Sequence, residues 1–88
     1  MLESEIEKIC CKWALSEGWI SYKFVSPSKR GVPDRMFLRD GKTVFVEFKR
    51  PGGIVSKIQE REIEKLRAQS FKVFVITSLR SMQIAFTR

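Results

Sequence analysis

The run Val44-Phe45-Val46-Glu47-Phe48-Lys49 constrains this chain more than any other stretch. Val44, Val46 and Phe48 form an apolar wall, with Phe45, Glu47 and Lys49 alternating between them. Successive side chains of a strand point to opposite faces, so Glu47 and Lys49 leave the sheet on the same side. A strand this apolar suits the middle of a sheet, where a charge is rarely placed without a partner. The candidate partner is Asp34, in Gly31-Val32-Pro33-Asp34 ahead of a second apolar run, Arg35-Met36-Phe37-Leu38. Asp40-Gly41 between the two runs is a hairpin-turn signal. Antiparallel pairing through that turn brings Asp34 close to Glu47, so two carboxylates and an amine converge at one end of a hairpin.

A carboxylate pair suits a hard divalent cation such as magnesium, which takes few protein ligands and keeps several waters. An adjacent lysine can orient a water or offset charge on a phosphate. The constellation reads as metal-dependent phosphodiester hydrolysis. Each half alone has a plainer explanation, since an Asp after Pro is a common turn residue and a Glu-x-Lys pair on an exposed strand is solvated surface. Their combination in one apolar hairpin favours a site.

Pro33-Asp34 followed by Glu47-Phe48-Lys49 resembles the PD-(D/E)XK nuclease motif. The fuller pattern resembles the stand-alone virus-type replication-repair nuclease (VRR-NUC) domain. It consists of Tyr22-Lys23-Phe24, Gly31-Val32-Pro33-Asp34-Arg35, Val46-Glu47-Phe48-Lys49-Arg50-Pro51-Gly52-Gly53 and Gln59, and spans about Leu2 to Ser78. The resemblance implies an α/β, restriction-endonuclease-like fold and cleavage of branched DNA, with Holliday-junction resolution expected of small members. It implies that Asp34, Glu47 and the backbone carbonyl of Phe48 hold magnesium or manganese, while Lys49 orients the attacking water. It also implies a helix-one glutamate at the metal, directly or through water. Glu7 is our choice for that role, with Glu3 one turn away as the alternative.

Eighty-eight residues make one domain, residues 1–88. A chain this short buries roughly 60–65% of its unfolded surface, so its core is adequate but marginal. Seventeen basic residues against ten acidic give a net charge of +7, which favours a polyanionic partner, nucleic acid or a membrane surface. No apolar run approaches the ~20 residues of a membrane span, and the acidic N-terminus does not resemble a signal peptide. The absence of histidine removes the commonest imidazole base and the usual zinc ligand. Cys10 and Cys11 read as reduced thiols, at least one of them core, and point to the cytoplasm of a bacterial or phage-infected cell.

Leu2 to Glu17 has Leu2, Ile6, Ile9, Cys10, Trp13 and Ala14 at helical spacing, with Gly18 as a stop. Glu5 reads as an acid complementing the helix dipole. Trp19 to Val25 alternates as a strand, with Ile20, Tyr22 and Phe24 on one face and Ser21, Lys23 and Val25 on the other. Ser26 to Val32 is a basic loop just ahead of Asp34, where Lys29 and Arg30 would meet a phosphate. Lys23, Ser26, Arg35 and Arg50 complete the expected DNA contacts. Arg50-Pro51-Gly52-Gly53 ends the central strand. Ser56-Lys57-Ile58-Gln59 has the form of a capping box and opens a helix to about Gln69. In the resembling family a glutamine here faces the active site. One side chain cannot fully serve both roles, and the site is the reading we adopt.

Phe71 to Thr77 reads as a strand parallel to the central one through a right-handed crossover. Ser78 caps a last helix, Leu79 to about Phe86, whose Leu79, Met82, Ile84 and Phe86 either pack or pair with a second subunit. The order αβββαβα gives a mixed sheet flanked by helices. One acid pair cuts one strand, whereas resolving a junction takes two symmetric nicks, so a two-fold homodimer is expected. The rivals are a monomeric flap or other structure-specific nuclease, a non-catalytic basic DNA-binding module, and an inert subunit of a larger complex.

Overall fold

A computed structural model describes residues 1–87. Its elements are α1 (Glu3–Ser16), β1 (Ile20–Lys23), β2 (Arg35–Arg39), β3 (Lys42–Phe48), α2 (Lys57–Ala68), β4 (Lys72–Ile76) and α3 (Leu79–Phe86), in the order expected. The strands form one sheet in the order β1-β2-β3-β4. The first three run antiparallel and β4 pairs parallel to β3, so the sheet is mixed.

The β2–β3 hairpin sets the register on which everything else depends. Asp40 (φ 51°) and Gly41 (φ 77°) are both left-handed, which gives the tight turn whose twist matches the flanking strands. Arg39 therefore faces Lys42 and Arg35 faces Val46. One step further along, Asp34 stands beside Glu47. On the other side of β3, the α2 crossover aligns Val44 with Lys72 and Phe48 with Ile76.

The alternation read in β3 separates two cores. Val44, Val46 and Phe48 join Phe37 and Ile76 beneath α1 and α3, packed on Ile6, Cys10, Ala14, Met82 and Phe86. Phe45 faces the other way and packs with Val73 and Ile63 beneath α2. Both cysteines are free thiols, Cys10 in the first core. The first strand is shorter than its alternation suggests, because Trp19 turns into the core and only Phe24 N–H, donating to the Asp34 carbonyl, extends the ladder past Lys23.

The final helix fills this core. Phe86 lies 4.9 Å from Trp19 and 5.4 Å from Phe37, centroid to centroid. Met82 is fully buried, Leu79 packs beside it, and only Ile84 stays substantially exposed. Most of the apolar material expected at a subunit interface is thus inside the chain. The physical reason is size, since so short a chain needs a third helix to cover its sheet.

Candidate active site

Asp34 leaves the start of β2, and its Oδ2 accepts the Phe48 N–H at 2.7 Å. This bond pins the carboxylate to the end of β3. Burial raises the Asp34 pKa, the Phe48 N–H opposes that rise, and the charges of Glu7 and Glu3 add to it.

Glu47 is the one buried charged side chain among the described residues, at 2% exposure. Its Oε2 accepts from Gln59 Nε2 at 2.9 Å and lies 3.4 Å from Lys49 Nζ. Its Oε1 is buried with no hydrogen-bond partner. Desolvation, reinforced by the Asp34 charge and opposed by Lys49, pushes the Glu47 pKa up to about 7. An unsatisfied buried carboxylate oxygen is costly. A divalent cation held by Glu47 and Asp34 would satisfy it, and two carboxylates are hard oxygen donors that fit such an ion.

Gln59 reaches the pair from α2, and the structure corrects the expectation that capping and site roles compete. The amide oxygen accepts the Ser56 N–H at 2.9 Å while the amide nitrogen donates to Glu47. Ser56 Oγ in turn accepts the Gln59 N–H at 3.2 Å, which completes the capping box. The two ends of one amide do both jobs, and the cap fixes the rotamer that meets Glu47.

Gly31 brings the two segments together. Its φ is +85°, and a Cβ there would come within 2.6 Å of Ile58 Cγ2 and 2.9 Å of the Ile58 carbonyl. Only glycine lets the loop before Asp34 lie against the first turn of α2. The sequence marked Gly31 as part of a motif but gave no sign that Ile58 was its neighbour.

Asp34, Glu47, Lys49 and Gln59 therefore converge as expected. Glu7 lies near enough for its charge to raise Asp34, and its Oε2 accepts from Arg35 Nε at 2.7 Å and from Lys23 Nζ at 3.1 Å. Those two cations hold its carboxyl below the ordinary range against the opposing effect of burial, the largest single influence. Among the described residues no three acidic, cysteine or histidine side chains form a metal cage. Glu3 adds negative charge to both Asp34 and Glu47.

Of the expected DNA contacts, Lys29, Arg30 and Arg50 are exposed. Ser26 accepts the Lys29 N–H through its backbone oxygen, which folds the basic loop into a turn. Lys23 is exposed but paired with Glu7, and Arg35 is half-buried between Glu7 and Ser21. A groove lies at the opposite end of the sheet, between Trp13, Trp19, Arg39, Lys42, Lys72 and Phe86. It shares no residue with the acid pair.

The chain matches no family model. It is 46% identical over 77 residues to "Putative nuclease p44" of Acyrthosiphon pisum secondary endosymbiont phage 1, which covers 86% of this chain and 83% of that protein. A solved "VRR_NUC domain" superposes with a TM-score of 0.89 at 25% identity, covering 98% of this chain and 95% of its own. A "VRR_NUC domain protein" shares the fold with a TM-score of 0.75 at 15% identity, over 97% and 85% of the two chains. With its acid pair, lysine and glutamine at the end of a mixed sheet, the chain belongs to the VRR-NUC family of nucleases.

Proposed function

We propose that this nuclease is a divalent-metal-dependent endonuclease of branched DNA, with Holliday-junction resolution as its task in a bacterial or phage-infected cytoplasm. The observation that carries the metal is the buried, unpartnered Glu47 Oε1 beside Asp34. Asp34, Glu47 and the Phe48 carbonyl would hold magnesium or manganese. Bound there, the cation supplies charge that polarises the scissile phosphate and acidifies a water.

The chain's own groups do the rest. Gln59 and Lys49 both engage Glu47 Oε2, which favours the ionised carboxylate and leaves Oε1 for the cation. Lys49 is a compact point charge, suited to orienting the water and offsetting charge as it builds on phosphorus. Lys29, Arg30 and Arg50 grip flanking phosphates, and Lys23 and Arg35 join them where the strand passes Glu7. Glu3 and Glu7 remain the helix-one carboxylates for this site: the charge of Glu7 acts on Asp34 more than that of Glu3, Glu3 acts also on Glu47, and Arg35 and Lys23 hold Glu7 in place.

Two symmetric nicks would come from a two-fold homodimer. The exposed apolar residues of β1, Ile20 and Tyr22, are available for its contact. The burial of Met82 and Phe86 favours the second reading, a monomeric flap nuclease. The deciding experiment is cleavage of a synthetic four-way junction against linear duplex, flap and single strand, with products mapped on every strand and mass measured by sedimentation. Asp34→Asn and Glu47→Gln should abolish cutting while binding holds or strengthens, and Lys49→Ala should cut about 100-fold more slowly. Undiminished cutting by either acid variant would end the metal assignment. Unpaired nicks from a monomer would select the flap reading.

A further inference from the structure

Ile54 is 87% exposed, more than any other large apolar side chain among the described residues. It stands on the connection between Lys49 and Gln59, both of which contact Glu47. The connection is built to hold it out. Gly53 N–H donates to the Arg50 carbonyl at 2.8 Å, with Pro51 and a left-handed Gly52 (φ 81°) at the centre, a tight and stiff turn. A Cβ on Gly53 would come within 2.9 Å of that carbonyl, so the turn requires glycine there. On its other side Val55 packs against the core beneath α2. Ile54 is thus an aliphatic side chain held in solvent between two anchored points.

Its neighbours name the occupant. Arg50 and Lys57 flank the segment in the chain, and both are exposed. An apolar tip flanked by cations complements a surface that is apolar at its centre and anionic at its edges. The end of a DNA helix at a branch point has this character, with a bare base-pair face between two phosphate backbones. In continuous duplex the same face is covered, and inserting a side chain there costs a few kcal/mol of unstacking per step.

Resting on the branched-DNA reading above, we propose that Ile54 is a wedge that stacks on the base pair exposed at a branch point and so selects branched over linear DNA. Binding at a bare face gains the burial of the side chain, whereas binding to continuous duplex must first break a stack. The selectivity therefore comes from the substrate's own stacking energy.

The test uses a four-way junction with 2-aminopurine at the branch point or in mid-arm, bound in EDTA so that no strand is cut. The parent should change the fluorescence at the branch point, as the bare face is covered, and not in mid-arm. Ile54→Ser should lose that change and bind the junction about tenfold more weakly, with a smaller loss on linear duplex. Ile54→Met should restore both, and Ile84→Ser on α3 should behave as the parent. A change of equal size in parent and Ile54→Ser, no change in the saturated parent, or an equal loss on junction and duplex would each overturn the wedge. A parent that alters the branch-point signal yet cuts no branched substrate would overturn the proposed function and leave the wedge standing.

Discussion

Gln59 Nε2 donates to Glu47 Oε2 at 2.9 Å, and the same amide caps the helix that carries it. Helix nucleation and site geometry are thereby one interaction: if the first turn of α2 frays, Glu47 loses its partner. The two effects separate by mutation. Ser56→Ala removes only the acceptor of the Gln59 N–H and should cost about 1 kcal/mol of stability, with cutting close to the parent rate. Gln59→Leu should lose similar stability and, in addition, cut at least about tenfold more slowly. Thermal melts paired with nicking rates decide it, and equal rates for both variants would show that the Glu47 bond is idle.

The pKa of Glu47 gives stability a definite pH dependence. Its pKa is near 7 in the folded protein against an ordinary value of 4.5, so the folded state holds the proton more tightly than the unfolded chain. Stability from this group falls as pH rises from 4.5 to about 7, by on the order of 3 kcal/mol, and then levels off. Asp34, also raised, acts in the same direction from a lower starting pH. Glu7 is shifted the opposite way, and its contribution is lost only as the medium falls below the ordinary glutamate range. Metal-free protein should therefore melt higher at pH 5.5 than at pH 8, and Glu47→Gln should remove most of that slope. Magnesium or manganese should raise Tm more at pH 8, where less proton must be displaced. Parallel melting curves for parent and variant across this range would mean that the carboxyl titrates normally.

Replacing Lys29 and Arg30 together by alanine should weaken DNA binding and reduce its salt slope by about one to two counterions. Fold stability should be untouched, since both side chains are exposed. Binding titrations at several salt concentrations give the slope directly, and identical slopes would return these residues to solvated surface.

Gly31→Ala joins two penalties, a left-handed backbone and a collision with the Ile58 carbonyl. It should destabilise the protein by about 1–3 kcal/mol. Because the loop can relieve the collision only by leaving α2, cutting should fall further than the stability loss alone explains. Nicking measured well below the variant's own melting temperature tests this, and a parent-like rate there would show that the loop does not position Asp34.

The sequence by itself determined the elements, the hairpin and the acid pair. Their signals are local: alternation across Val44–Lys49, Asp40-Gly41 between two runs, a Ser-x-x-Gln cap, glycine after α1. Once Asp40-Gly41 sets the register, Asp34 has to stand beside Glu47, because a one-residue slip would turn every side chain of β3 to the wrong face. What lay outside the sequence was every choice among partners from separate elements. Spacing alone did not say which cations Glu7 would meet, and only the position of Arg35 and Lys23 under α1 paired it with them. Met82 and Phe86 had the same helical spacing whether they paired subunits or covered the sheet, and only the bare face left by α1 drew them inward. Gln59 capped its helix in any fold, but its second bond needed α2 to cross the end of β3. Local periodicity states which face a side chain takes, and packing alone states what meets it there.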